Sequence, residues 1–167
     1  MSALGRDWLR AGRVGRPHGL DGSFHVGEAN PVLLKVGATL SVAGDLRRID
    51  RRAGHDTGVI IRLEGCQDRD GAHALRGTVL LAAREAAPVL EPDEWWADEL
   101  EGCAVHDRGR PVGTVTRLLG LPSCEVLEVR RADGSGELLV PLVGDAVRTV
   151  DVERREIDVD LGFLGEE

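Results

Sequence analysis

Glu94-Trp95-Trp96-Ala97-Asp98-Glu99-Leu100 divides this chain in two. Upstream of it, Ala86-Ala87-Pro88-Val89-Leu90-Glu91-Pro92-Asp93 holds two prolines in eight residues and reads as a linker. The stretch itself carries two of the five Trp and Phe residues, side by side, in a chain without Tyr. Neighbouring residues on an extended segment point to opposite faces, so one indole can bury while the other faces out. An indole is a large, rigid contact surface with one N–H donor, which suits an interface anchor. The competing reading is that both rings plug the core of the domain that follows. The residues alone leave both readings open, burial first.

Working outward, the 167 residues suffice for one ordinary domain or two small ones. The linker favours two: an N-terminal domain over 1–85, a linker over 86–93 and a C-terminal domain over 94–167. Charge changes at the same place. Residues 1–90 carry 13 Lys and Arg against 10 Asp and Glu, whereas residues 91–167 carry 8 against 19. An acidic second half argues against binding a phosphate backbone there and suits a basic protein partner. Solubility alone explains it equally well. Arg outnumbers Lys twenty to one.

The apolar and charged fractions, 42% and 30%, belong to a soluble globular protein. No apolar run nears the roughly 20 residues that span a bilayer. Met1-Ser2-Ala3-Leu4-Gly5-Arg6-Asp7-Trp8 lacks a signal-peptide layout, so a cytoplasmic protein without membrane contact is expected. Cys66, Cys103 and Cys124 form no C-x-x-C pair, and reduced thiols are expected.

The first half reads as short strands. Leu9 and Val14 precede a loop over Gly15-Arg16-Pro17-His18-Gly19-Leu20-Asp21-Gly22. Ser23-Phe24-His25-Val26 alternates as a half-buried strand, and so does Thr39-Leu40-Ser41-Val42. Pro31–Lys35 fits a loop or a single helical turn. Ala43-Gly44-Asp45 turns the chain into a hairpin partner over Leu46–Arg52. Val59–Leu63 is a buried strand, Asp68 caps a short helix ended by Gly77, and Thr78–Leu81 closes the domain. About six strands and one helix predict a small barrel. In the second half, Cys103–His106, Val112–Thr116, Glu125–Arg131 and Glu137–Val143 read as a meander. Pro141 implies an edge, a bulge or a strand end. Ile157, Val159 and Leu161 alternate with acids in a last strand. The fold class is all-β, two small barrels.

No catalytic constellation assembles. There is no G-x-S-x-G elbow, no Walker A loop and no H-E-x-x-H. Glu94, Asp98, Glu99 and Glu101 cluster, but such a cluster reads more simply as a solvated face. His18 and His25 lie seven apart across a turn and can meet in a hairpin. With no third ligand nearby, no metal site is expected. The loop from Arg13 to Gly22 has two open readings. Arg13, Arg16 and His18, stiffened by Pro17 and opened by Gly19, suit recognition of RNA phosphate or bases. Alternatively, the glycines are geometric and His18 bonds its own backbone.

Both stretches fit one family pattern. Arg13-Val14-Gly15-Arg16-Pro17-His18-Gly19-Leu20-Asp21-Gly22 resembles the R-V-G-x-x-H-G-x-x-G opening of the RimM family of bacterial ribosome maturation factors. Leu63-Glu64-Gly65, Ala74-Leu75-Arg76-Gly77, the acid-aromatic-aromatic Glu94-Trp95-Trp96, Gly113-Thr114-Val115, Val126-Leu127-Glu128-Val129 and Val140-Pro141-Leu142-Val143 follow in the family's order. Trp95 and Trp96 stand where relatives usually have Tyr or Phe. The resemblance implies a translation-factor-like N-terminal barrel and a PRC-type C-terminal barrel. It implies a monomeric binding factor without catalysis, cofactor or metal. Its partners would be the small (30S) ribosomal subunit, the basic head protein uS19 and 16S rRNA. The family's aromatic pair is a contact region, which transfers to Trp95 and Trp96. Arg13, Arg16, Pro17, His18 and Gly19 are the corresponding expectation in the first barrel. A general RNA-binding barrel and a metal-dependent rRNA-processing enzyme are the rival readings.

Overall fold

The computed structural model describes residues 7–166. The chain divides into two compact units between Val89 and Leu90. Six strands build the first: β1 (Trp8–Pro17), β2 (Phe24–Gly27), β3 (Thr39–Val42), β4 (Asp45–Ala53), β5 (Ile60–Leu63) and β6 (Val79–Ala83). They close into a barrel in the order β1-β2-β5-β4-β3-β6, with every neighbouring pair antiparallel. Closure removes both free edges of the sheet. Phe24, Leu34, Leu40, Ile49, Ile61, Leu63 and Leu80 fill the interior without solvent exposure. The β3–β4 hairpin turns on Ala43 and Gly44, both at positive φ, the two-residue turn whose twist matches its strands. Helix α1 (Arg69–Ala74) starts where expected. The Asp68 carboxylate accepts a hydrogen bond from the Gly71 amide at 2.7 Å.

One expectation needs correction. The segment read as a loop from Gly15 is strand as far as Pro17, and the true turn is His18–Ser23, where the His18 amide donates to the Ser23 carbonyl at 2.8 Å. The β1–β2 register shifts between Val14 and Pro17. This bulge interrupts the alternation by which sequence reading recognises a strand.

The second unit begins with helix α2 (Ala97–Leu100), followed by β7 (Ala104–Asp107), β8 (Arg110–Gly120), β9 (Glu125–Arg131), β10 (Glu137–Pro141), β11 (Val147–Asp151), β12 (Glu156–Val159) and helix α3 (Leu161–Leu164). Its sheet runs β10-β9-β8-β7-β12-β11 in a barrel-like arrangement around one core. Leu100, Cys103, Val105, Leu127, Val129, Val140, Ile157 and Val159 are fully buried there. Pro141 is the last residue of β10, and β10 is an edge strand, so no ladder position lacks a donor.

Three features depart from the sequence reading. The Trp pair, read as part of an extended segment, leads directly into a helix. β12 pairs in parallel with β7, which makes the unit more than a meander, and β11 escaped notice. Leu161 opens α3 instead of continuing β12, because the Asp160 carboxylate caps that turn by accepting from the Phe163 amide at 3.0 Å. Leu161 and Leu164 still pack on the core.

A charge network ties these last elements together. Asp107, buried at the end of β7, receives Arg148 of β11 at 2.9 Å and Arg110 at 3.2 Å. Arg148 also reaches Asp158 and Asp160, both at 3.1 Å. The Arg148 hydrogen bond holds the Asp107 carboxyl below the usual carboxylate range. Asp160 is lowered first by the Phe163 amide and then by Arg148. A carboxylate depressed in the folded state stabilises the fold above its unfolded pKa, about 4, and that contribution is lost as pH falls through the folded value. The second unit is therefore expected to lose stability progressively below about pH 4. An Arg148→Met variant, less stable at neutral pH, should lose less on acidification. Parallel acid-denaturation curves for the two proteins, followed by circular dichroism, would remove the network as the cause.

Candidate partner-binding surfaces

The tryptophan segment is fixed from both sides. Upstream, the Glu91 amide donates to the Glu94 carboxylate at 3.1 Å, and the Glu94 amide donates to the Glu91 carbonyl at 3.0 Å. Downstream, Trp96 is the N-cap residue of α2, with φ −75° and ψ 139°. Its amide donates to the Glu99 carboxylate at 3.2 Å, which satisfies a donor just outside the helix. Asp98 and Glu99 place negative charge in the first turn, where exposed amides favour it. Leu100 then inserts into the core without solvent exposure. The Cys103 thiol, raised in pKa by burial, donates to the Glu99 carbonyl at 3.1 Å.

The two indoles do not share one environment. Both are half-buried. Trp95 packs against the hydrophobic core of the second unit, whereas Trp96 is not among the side chains packed there. Two of the clustered acids, Glu94 and Glu99, serve as local caps on backbone amides. Among the described residues, no group of three or more His, Cys, Asp or Glu is placed to hold a metal ion.

In the first unit, the structure gathers only part of the expected set. Arg16 and His18 are exposed and lie close to His25 on β2. His18 Nδ1 and His25 Nε2 are 3.3 Å apart, with the rings nearly perpendicular at 83°. Burial first, then Arg16 and His18, push the His25 pKa down. Arg13 stands apart from this group. It lies further back on β1, and its Nη1 donates to the Gly77 carbonyl at 3.0 Å, tying β1 to the turn after α1. Pro17 ends β1, and Gly19 occupies the turn at φ +67° with open space where a side chain would stand.

The turn is held by its neighbours. The Asp21 carboxylate accepts from the Ser23 amide at 3.1 Å, from Arg51 at 3.0 Å and from Arg62 at 3.3 Å. Hydrogen bonding to Ser23 is the main reason its pKa is lowered. Arg69 Nη1 donates to the Gly19 carbonyl at 3.1 Å. Gly15 is needed for close approach, since a Cβ there would lie 2.7 Å from the His25 carbonyl oxygen. Sequence reading missed Leu20, which is 79% exposed at the tip of this turn. An apolar residue between Gly19 and Asp21 was the available signal.

Known proteins share this organisation. Residues 9–87 match the RimM N-terminal domain, and residues 97–162 match the RimM PRC barrel domain. A protein of Streptomyces avermitilis named ribosome maturation factor RimM is 35% identical over 161 residues, covering 91% of this chain and 86% of that protein. Its namesake in Sorangium cellulosum is 32% identical, covering 92% of this chain and 95% of that protein. A third, from Nitrosomonas europaea, is 36% identical over 115 residues, covering 65% and 68% of the two chains. With both domains matched in order and full-length relatives above 30% identity, the chain belongs to the RimM family.

Proposed function

We propose that this protein is a cytoplasmic ribosome maturation factor that binds the immature 30S subunit and assists assembly of its head and processing of 16S rRNA. The acidic second unit engages a basic ribosomal protein of the head, uS19, with Trp96 as the offered anchor and Trp95 as its support. The first unit, through Arg16, Pro17, His18 and Gly19 with Arg13 behind them, contacts 16S rRNA or the same partner. No covalent step is required. Preferential affinity for one arrangement of the head shifts the particle toward it by mass action. The protein acts as a monomer.

The observation that carries this reading is the unequal placement of the indoles. A half-buried ring left off the core, on a segment fixed by two carboxylate caps and Leu100, is a preorganised contact surface. The relatives' shared name supports the ribosomal context. The charge of the second unit, 19 acids against 8 bases from residue 91 onward, suits a basic partner.

A pull-down from bacterial extract tests the proposal. The wild-type chain is expected to retain 30S proteins and precursor 16S rRNA, and a Trp95/Trp96 double alanine variant is expected to lose them. Retention of naked RNA alone, strongly dependent on salt, would favour a general RNA-binding barrel. Cleavage of precursor RNA in magnesium that disappears in Asp98→Asn would favour an enzyme.

A further inference from the structure

The two histidines of the first barrel are in direct side-chain contact, close enough for a hydrogen bond between the rings. His18 Nδ1 and His25 Nε2 lie 3.3 Å apart, and the ring centres are separated by 5.1 Å. A linear N–H···N bond of that length would set the ring centres about 5.6 Å apart, so any hydrogen bond between the rings is bent. Two imidazoles aiming their lone pairs at one tetrahedral ion, with metal–nitrogen bonds of about 2.0–2.1 Å, place the nitrogens about 3.3–3.4 Å apart and the ring centres about 5.2–5.3 Å apart. Both observed separations fit the second arrangement.

We propose that His18 Nδ1 and His25 Nε2 chelate a late first-row divalent cation, with zinc as the physiological ion. Imidazole nitrogen suits zinc, nickel and copper, and does not suit magnesium or calcium. The chelate is preorganised by the barrel. His18 follows β1 directly, and its amide is fixed on the Ser23 carbonyl at 2.8 Å. His25 sits inside β2, in register with Ile60 of β5. Gly15 admits the His25 backbone at a distance a Cβ would forbid. The ion therefore orders little that is not already ordered, so most of the binding energy is retained.

Among the described residues no third His, Cys, Asp or Glu completes a site with the pair, and His18 is exposed, so the remaining positions stay open to water or to an oxygen of a bound partner. The nearby Arg16 guanidinium opposes a cation. Both features make this an exchangeable surface site, distinct from closed four-ligand zinc sites that hold a fold together. The inference goes beyond the ribosomal reading, and its test needs no ribosome, so either can fail without the other.

The test titrates zinc into the full chain at about pH 7.5, where imidazole is largely neutral. A Cys124→Ser background removes the one thiol that is not buried. Imidazole nitrogens are followed by long-range proton–nitrogen NMR. The expected result is one equivalent of zinc, with His18 Nδ1 and His25 Nε2 shifting together. His55, His73 and His106 serve as internal controls and stay still. Magnesium should move none of them. Loss of one arm of a chelate should weaken zinc binding at least about tenfold, so His18→Ala and His25→Ala are each expected to do so, as is His25→Gln, which keeps more of the β2 packing. A thermal melt in zinc-free buffer confirms that each variant is folded. Absence of a saturable shift in the pair, or unchanged zinc affinity in folded single variants, would overturn the proposal.

Discussion

Trp96→Ala is expected to keep the fold of the second unit and to weaken small-subunit binding by about 2 kcal/mol, roughly thirtyfold. The ring contributes little to the core, because it does not pack there. The backbone that holds it is fixed independently of the ring, by the Glu99 carboxylate on the Trp96 amide and by Leu100 in the core. Truncation should therefore act on the partner interface alone. Trp95→Ala should give the opposite pattern. Removing a half-buried indole from the rim of the core should lower stability by about 2 kcal/mol, less than the 3–5 typical of fully buried aromatic residues. Any loss of binding in that variant should follow its loss of fold. Urea denaturation and co-sedimentation with purified 30S subunits, run on both variants, separate the two roles. Equal effects of the two substitutions on both measurements would mean that the pair acts as one unit.

The second large effect is expected at Gly22. Its φ is +88°, and a Cβ there would lie 2.1 Å from the Cys66 carbonyl oxygen, with the Cys66 carbon and the Gln67 amide nitrogen also within 3.0 Å. The obstacle is backbone, which cannot rotate aside as a side chain can. Left-handed conformation costs a substituted residue about 1–2 kcal/mol, and overpacking adds about 1–3 more. Gly22→Ala should therefore destabilise the first barrel by about 3 kcal/mol or more. Gly19→Ala, three residues before Gly22 in the same signature, is the control. Its φ is +67° but nothing lies within 4 Å of the added carbon, so it should cost only about 1 kcal/mol. Chemical denaturation of the two variants checks the contrast. If Gly19→Ala is the more damaging, the turn is not held by its contact with Cys66.

Legibility in the sequence followed the physics of each element. Strands with clean alternation, such as Thr39–Val42, were plain, as was the Asp68 cap. The bulge between Val14 and Pro17 was not, because two outward arginines three apart break the period of two that marks a strand. The short helix after Trp96 was hidden for a different reason. Four residues are too few to show helical periodicity, and its start is marked by a carboxylate reaching back to an amide, without a Ser, Thr, Asp or Asn at the cap. The parallel pairing of β12 with β7 joins residues about 50 apart and leaves no local signal.

The candidate surfaces divide in the same way. Glu94–Leu100 was visible as composition, but the separation of Trp95 from Trp96 required the core to be seen. The signature from Arg13 to Gly22 was visible as a motif. Its parts turn out to have different work: Gly15 and Gly22 permit close backbone approach, Arg13 ties down the Gly77 carbonyl, and Arg16 and His18 face outward beside His25. The meeting of His18 and His25 was foreseeable from their spacing across a turn. The distance between their nitrogens was not.

In the proposed function, the acidic second unit binds a basic ribosomal protein through Trp96. Its most direct test is calorimetric titration of purified uS19 into the full chain, wild type and Trp96→Ala, at two salt concentrations. One saturable site is expected, weakened by salt and about thirtyfold weaker in the variant. Equal affinity of a folded Trp96→Ala variant for that protein would contradict it.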